Sequence, residues 1–130
     1  MELSKFFKSI IEEDRQAVVI CDTNHRIIYM NPAACRKYEK HGGNALCGKS
    51  ILSCHNEKSS DLIIKTVKWF AADKSNNRIY TFHNDKDNRD VYMVALRDEN
   101  GDLIGYYEKH ESRNRETEKK YNFNSGEADV

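Results

Sequence analysis

Residues 17–34, AVVICDTNHRIIYMNPAA, decide the fold of this chain. Two apolar runs are separated by a few polar residues, and the second run is followed directly by Asn31 and Pro32. This order predicts a hairpin of two strands, residues 17–21 and 26–30, joined by a tight polar turn. Pro32 lacks an N–H and suits the first turn of a helix, while Asn31 can cap the free amides of that turn. We therefore expect a strand to give way to a helix here, with a mainly structural role for Asn31.

The composition indicates a single domain. The chain has 130 residues, of which 32% are charged, with Lys plus Arg and Asp plus Glu equal at 21 each. A chain of this length removes roughly two thirds of its surface from water, so its core needs no covalent staple. Balanced charge predicts no direct nucleic-acid partner. Short apolar runs and a mean hydropathy of -0.84 predict no membrane segment, no secretion signal and a cytoplasmic location.

No sequence motif predicts catalysis or a structural metal. The cysteines lack the paired spacing of a zinc site, and in a reducing compartment we expect them to stay thiols: Cys21, Cys35, Cys47 and Cys54. The serines have no nucleophile elbow, the acidic residues cluster in predicted turns, and there is no phosphate-binding glycine loop. We expect a protein that is not an enzyme and has no catalytic residue.

An amphipathic helix is predicted within residues 1–15. Apolar residues recur there at helical spacing and form one face: Leu3, Phe6, Phe7, Ile10 and Ile11. A helix this short is marginal in isolation, so its apolar face must pack on something. The sheet of the same chain and a second copy of the chain are the two candidates.

Further helices and three strands are predicted after residue 31. The helices cover residues 32–41 and 59–73, with irregular backbone and about one helical turn in 44–53, and the strands cover 78–83, 89–97 and 103–110. In the first two of these strands, two alternating sets could each face the helices. The sets are Ile79, Thr81 and His83 or Arg78, Tyr80 and Phe82, and then Tyr92, Val94 and Leu96 or Val91, Met93 and Ala95.

The C-terminal residues, ESRNRETEKKYNFNSGEADV from residue 111, contain few apolar side chains. Such a segment buries too little area to offset the entropy of ordering, so we expect a helical extension that frays into disorder. The predicted domain organisation is therefore an N-terminal helix in 1–15, one domain in 16–111 and a polar tail in 112–130.

The element order over residues 17–110 resembles that of a PAS domain. The segment GKSILSCH at 48–55 is similar to a bacterial PAS group that carries Cys-His-Pro ahead of its long helix. Here Asn56 replaces the proline, and Asn is a good helix cap. The segment RDENGDLIGYYE at 97–108 is similar to the widespread PAS ending, in which the Gly105 position implies close packing under the helices.

The resemblance implies an α+β fold with a five-stranded antiparallel sheet and helices on one face. It also implies a stand-alone sensory or signalling module that binds a small ligand or a protein partner and changes its loops at residues 42–55. The candidate pocket residues are Asn31, Cys54, His55, Tyr80, Met93 and Tyr107. The flavin-binding PAS motif is missing, so we expect no flavin.

The resemblance further implies a homodimer formed through the N-terminal helix, and output through a separate effector protein because no effector domain is fused. One alternative is a ligand-free dimerisation or docking domain. Another is a haem-based redox or gas sensor in which His55 or Cys54 binds the iron. A cavity lined by titratable side chains favours the sensor, whereas a cavity filled by aromatic side chains favours the docking domain.

Overall fold

A computed structural model describes residues 2–123, which form a five-stranded antiparallel sheet with helices over one face. The elements are α1 (Ser4–Glu13), β1 (Val19–Asp22), β2 (Ile27–Met30), α2 (Pro32–Lys37), α3 (Glu57–Ala72), β3 (Arg78–Asn84), β4 (Arg89–Arg97) and β5 (Leu103–Ser112). Three short 3₁₀ turns lie between α2 and α3, and residues 39–54 are called the 3₁₀ segment below. The predicted fold class is confirmed.

The strand order across the sheet is β2-β1-β5-β4-β3. The N-terminal hairpin therefore joins the C-terminal meander through β1 and β5, where Cys21 lies opposite Tyr106. Gly105 makes this pairing close, since a Cβ atom there would lie 2.2 Å from the carbonyl oxygen of Cys21. The close packing expected at Gly105 is thus against the backbone of β1 and not under the helices.

Helix boundaries differ from the predictions by a few residues because capping side chains set them. The long helix α3 begins before Ser59, since Oδ1 of Asn56 accepts a hydrogen bond of 2.8 Å from the Ser59 amide. The helix predicted for 32–41 is divided into α2 and a 3₁₀ turn that ends at Gly42 with φ of +117°. Such positive φ values favour glycine and stop a helix.

A β-bulge in β3 decides which of its residues face the helices. Ile79 lies opposite Met93, but the register shifts between Tyr80 and Phe82, so that Phe82 lies opposite Val91. Val91 and Met93 are buried, so the set Val91, Met93 and Ala95 faces the helices in β4. Neither regular alternation holds in β3, because the extra residue at the bulge places Ile79 and Phe82 on the same face.

The tail is not helical between residues 113 and 123, so the predicted helical extension is wrong there. Strand β5 instead continues through Ser112, and Nε of Arg113 then donates to Oδ2 of Asp90 at 2.7 Å. Pairing with β4 satisfies the backbone of this polar segment without any need for apolar burial. The rest of the predicted tail, residues 124–130, lies outside the described residues.

The hydrophobic core lies between the inner face of the sheet and the covering helices. Its buried members come from β1, β2, α2, the 3₁₀ segment, α3, β4 and β5 and from Ala17 just before β1, and Phe70 of α3 is fully buried within it. Helix α1 contributes no buried residue. Among residues 2–123, no helix combines the length and the apolar character that a bilayer-spanning segment requires.

Candidate functional site

A cavity of about 420 Å³ lies between the inner face of the sheet and the 3₁₀ segment. Residues of β1, β2, β4 and β5 form its floor, and residues of the 3₁₀ segment and Ile63 of α3 form its roof. Its lining residues are Ala17, Val19, Cys21, Ile27, Met30, Tyr38, His41, Leu46, Ile51, Ser53, Cys54, His55, Ile63, Met93, Tyr106, Glu108 and His110. A mostly apolar wall with a few polar groups is typical of small-molecule sites.

The polar groups of the floor come from β5, because alternate residues of a strand point to the same face. Tyr106, Glu108 and His110 therefore all face the cavity, with Glu108 opposite Met93 and His110 opposite Val91 on β4. Apolar neighbours on β4 thus flank both titratable side chains. Tyr106 is held in place by a hydrogen bond of 2.8 Å between its hydroxyl and Nδ1 of His25.

Glu108 is paired with His110 inside this apolar surrounding. Oε1 of Glu108 lies 3.1 Å from Nε2 of His110. Burial by itself raises the pKa of Glu108, but the contact with His110 and the nearby Lys37 and His55 outweigh it, so the net pKa lies below its ordinary value. At neutral pH the cavity floor therefore carries a carboxylate.

His110 has an unmet hydrogen-bonding demand. Only 5% of its side-chain surface is exposed, and its Nδ1 atom is buried without a hydrogen-bonding partner among residues 2–123. A buried nitrogen without a partner typically costs about 1–3 kcal/mol. Such groups are rare in folded proteins and often mark functional positions.

The roof carries the Cys-His pair that the sequence singles out. The His55 Nδ1 atom lies 2.9 Å from the carbonyl oxygen of Ile51, and because a carbonyl only accepts, Nδ1 must carry the proton. This leaves Nε2 of His55 as the nitrogen available to a ligand. The thiol of Cys54 is exposed, whereas burial raises the pKa of the Cys21 thiol in the floor to about 11.

The structure places the predicted pocket residues in two groups. Cys54, His55 and Met93 line the cavity. Asn31, Tyr80 and Tyr107 do not. Asn31 is fully buried at the junction of β2 and α2, Tyr80 is exposed opposite Tyr92, and Tyr107 lies opposite Val94 on the outer face. Tyr80 and Tyr107 lie elsewhere because the strand register sets which side of the sheet each side chain takes. Asn31 lies elsewhere because hydrogen bonds to the backbone hold its side chain.

Several lining residues were not predicted from the sequence, notably Tyr38, His41, Tyr106, Glu108 and His110. A signal for the last three was present, since they alternate along a predicted strand directly after Gly105. The face of that strand was not predicted, because both of its alternating sets contain polar and apolar residues.

The comparisons with known proteins agree with this architecture. A family model described as PAS fold matches residues 11–109. A search of curated protein sequences finds no significant match. Solved structures with the same fold include a PAS domain from Colwellia psychrerythraea, with a TM-score of 0.63, 14% identity, and coverage of 85% of this chain and 97% of that chain.

Two further solved structures are similar to the chain. The PAS domain of BvgS from Bordetella pertussis has a TM-score of 0.59 and 15% identity, with coverage of 85% of this chain and 86% of that chain. The Aer2 receptor of Vibrio cholerae is described as a dual PAS-haem oxygen sensor. It has a TM-score of 0.52 and 16% identity, with coverage of 72% of this chain and 90% of that chain. At sequence identities this low, the structural similarity shows a shared fold and nothing more.

The match over residues 11–109 shows the family: this chain belongs to the PAS fold family. PAS domains typically serve as sensory and signalling modules, and they are generally non-catalytic.

Proposed function

We propose that this PAS domain is a sensory module that binds a small molecule in the cavity between its sheet and the 3₁₀ segment, and that it has no catalytic activity. The observation that carries the proposal is the cavity itself, with its apolar wall and its titratable floor residues Glu108 and His110. A domain used only for docking has no need of a buried histidine beside a carboxylate in such a place, because a buried polar atom without a partner is costly.

Occupancy of the cavity would be relayed to α1 through Asn31. Met30 lines the cavity, and the next residue, Asn31, donates from Nδ2 to the carbonyl oxygen of Ile11 near the end of α1 at 2.9 Å. The Tyr29 hydroxyl also donates to the carboxylate of Glu12. A shift of β2 on ligand binding would therefore move α1, and the output would pass to a second copy or to a separate effector protein.

Native mass spectrometry of freshly purified protein tests ligand binding. We expect a bound small molecule whose mass disappears under denaturing conditions. Ser53→Trp places a bulky ring at the cavity wall and should abolish the adduct, whereas Ser75→Trp, at an exposed turn after α3, should retain it. Protein that never carries or accepts a small molecule would support the ligand-free docking domain instead.

A haem-based sensor is a second candidate, because the Nδ1 contact of His55 gives the orientation that histidine ligands of metals commonly have. His55 would bind the iron through Nε2, with the thiol of Cys54 beside it. Addition of haem to the purified protein should then produce a Soret band that His55→Ala alters and His83→Ala, on the outer face, does not. Absence of any band would remove this candidate.

A further inference from the structure

We propose that the ligand of this cavity is a small organic cation, a mostly apolar molecule whose ammonium group binds the carboxylate of Glu108. This inference rests on the proposed function, since it names the chemical class that the cavity selects. It follows from the charge of the lining, from the position of Glu108 and from the hydrogen bonds that a carboxylate can make.

The charge of the lining is the first argument. Among residues 2–123, Glu108 is the only Asp, Glu, Lys or Arg side chain on the surface of the cavity. The other titratable groups on the wall include three histidines, His41, His55 and His110, and His110 is already paired with Glu108. A ligand that carried a carboxylate or phosphate would therefore face this negative charge without a lysine or arginine on the wall to pair with it. Like charges in a site of low dielectric repel strongly, so anions are selected against.

The accessibility of Glu108 is the second argument. Its side chain is 42% exposed while it lines the cavity, so a ligand can reach it, whereas the neighbouring His110 is 5% exposed. The contact with His110 engages only Oε1 of Glu108, and a carboxylate has about four acceptor sites on its two oxygens. Glu108 therefore keeps acceptor capacity for a ligand while His110 holds its orientation.

The donor requirement is the third argument. An ionised carboxylate only accepts, so the matching ligand group must donate, and a charged donor makes a bond roughly twice as strong as a neutral one. Apolar side chains such as Val19, Ile63 and Met93 line the same cavity and match the apolar body of the ligand. The rings of Tyr38 and Tyr106 also lie on the wall and can attract a cation through their faces.

Three probes with one skeleton test the inference: naphthalene, the naphthoate anion and the naphthylmethylammonium cation. Calorimetric titration of the full chain should give tightest binding for the ammonium probe, at least about tenfold tighter than naphthalene, and weakest binding for naphthoate. Glu108→Gln should remove the ammonium preference and leave naphthalene affinity within about twofold.

Glu111→Gln is the matched control, because it removes the same charge three positions along β5, on the opposite face of the sheet. It should keep the ammonium preference. The carboxyl ¹³C resonance of Glu108 in the wild-type protein gives a readout that needs no folded variant, and it should shift with the ammonium probe and not with naphthalene.

Tightest binding of naphthoate, or an ammonium preference that survives Glu108→Gln, would overturn the inference and leave the ligand-binding function standing. An unmoved Glu108 resonance at saturating ammonium probe would do the same. If none of the three probes binds, and native mass spectrometry shows no adduct, the proposed function itself fails.

Discussion

Asn31 connects three parts of the fold through one fully buried side chain. Its Oδ1 accepts hydrogen bonds of 2.9 Å from the amides of Val18 and Ala34, and its Nδ2 donates to the carbonyl oxygens of Ile11 and Gln16. The cap that the sequence predicts is therefore only one of its contacts. The same amide also holds the end of α1 and the start of β1 against α2.

Asn31→Ala should lower the free energy of unfolding by about 2–4 kcal/mol, because it leaves buried amides and carbonyls without partners. Asn56→Ala is the control, since Asn56 caps α3 at an exposed site through the Ser59 amide, and its loss should cost about 1 kcal/mol. Urea unfolding measures both. Equal losses would mean that Asn31 acts only as a cap.

Asp90 ties the outer face of the sheet to the start of the tail. Hydrogen bonds from Tyr80 and His83, with Arg113, lower the pKa of its carboxyl to about 2. An unfolded Asp has a pKa of about 3.9, so the carboxyl group of Asp90 loses its proton more readily in the folded state. The stability contributed by Asp90 is therefore complete above about pH 4 and is lost as the pH falls through its folded value.

Asp90→Asn should accordingly lower the melting temperature at pH 7, and the difference from wild type should shrink as the pH is lowered from 4 to 2. Asp61→Asn changes an exposed carboxylate on α3 and serves as the control. Thermal unfolding followed by circular dichroism gives both profiles. A difference that stays constant with pH would show that Asp90 does not contribute through its charge.

At the scale of elements, the contact between β1 and β5 limits side-chain size. Gly105→Ala should lower the free energy of unfolding by at least about 2 kcal/mol, because the added Cβ would overlap the backbone of Cys21 and force the strands apart. Ile104→Ala, at an exposed position of the same strand, should cost less than about 1 kcal/mol. Urea denaturation measures both losses. An unchanged free energy of unfolding for Gly105→Ala would mean that β1 can move away from β5 freely.

Element order and approximate boundaries were predictable because periodicity and caps are local. The side of the sheet that each residue faces was harder to predict. In β3 the bulge after Tyr80 places Ile79 and Phe82 on one face, and no sequence alternation shows such an insertion. The tail is polar, and a polar segment shows no apolar pattern whether it forms a helix or a strand. The extension of β5 to Ser112 therefore became evident only from the pairing of Ser112 with Arg89 on β4.

At the scale of the molecule, α1 is an amphipathic helix without a partner for its apolar face within residues 2–123. Leu3, Phe6, Phe7 and Ile10 are between 49% and 69% exposed, and Ile11 is partly buried. Exposed apolar faces of this kind mark interaction surfaces. The homodimer through α1 therefore stays a prediction that the geometry supports.

Phe7→Glu should convert the dimer to a monomer, since it places a charge within the apolar face. Lys5→Glu, on the opposite side of the same helix, should leave the dimer intact. Size-exclusion chromatography with light scattering gives the mass directly. A wild-type protein that remains monomeric at micromolar concentration would reject the homodimer and leave α1 for a different partner.

The sequence by itself determined the local features of this protein: the hairpin at residues 17–34, the caps at Asn31 and Asn56 and the order of helices and strands. These depend on contacts between residues close in the chain. Only the tertiary structure decided that Glu108 and His110 share the cavity with Cys54 and His55. Strand register and the path of the 3₁₀ segment bring them together, and both are set by packing between elements distant in the sequence.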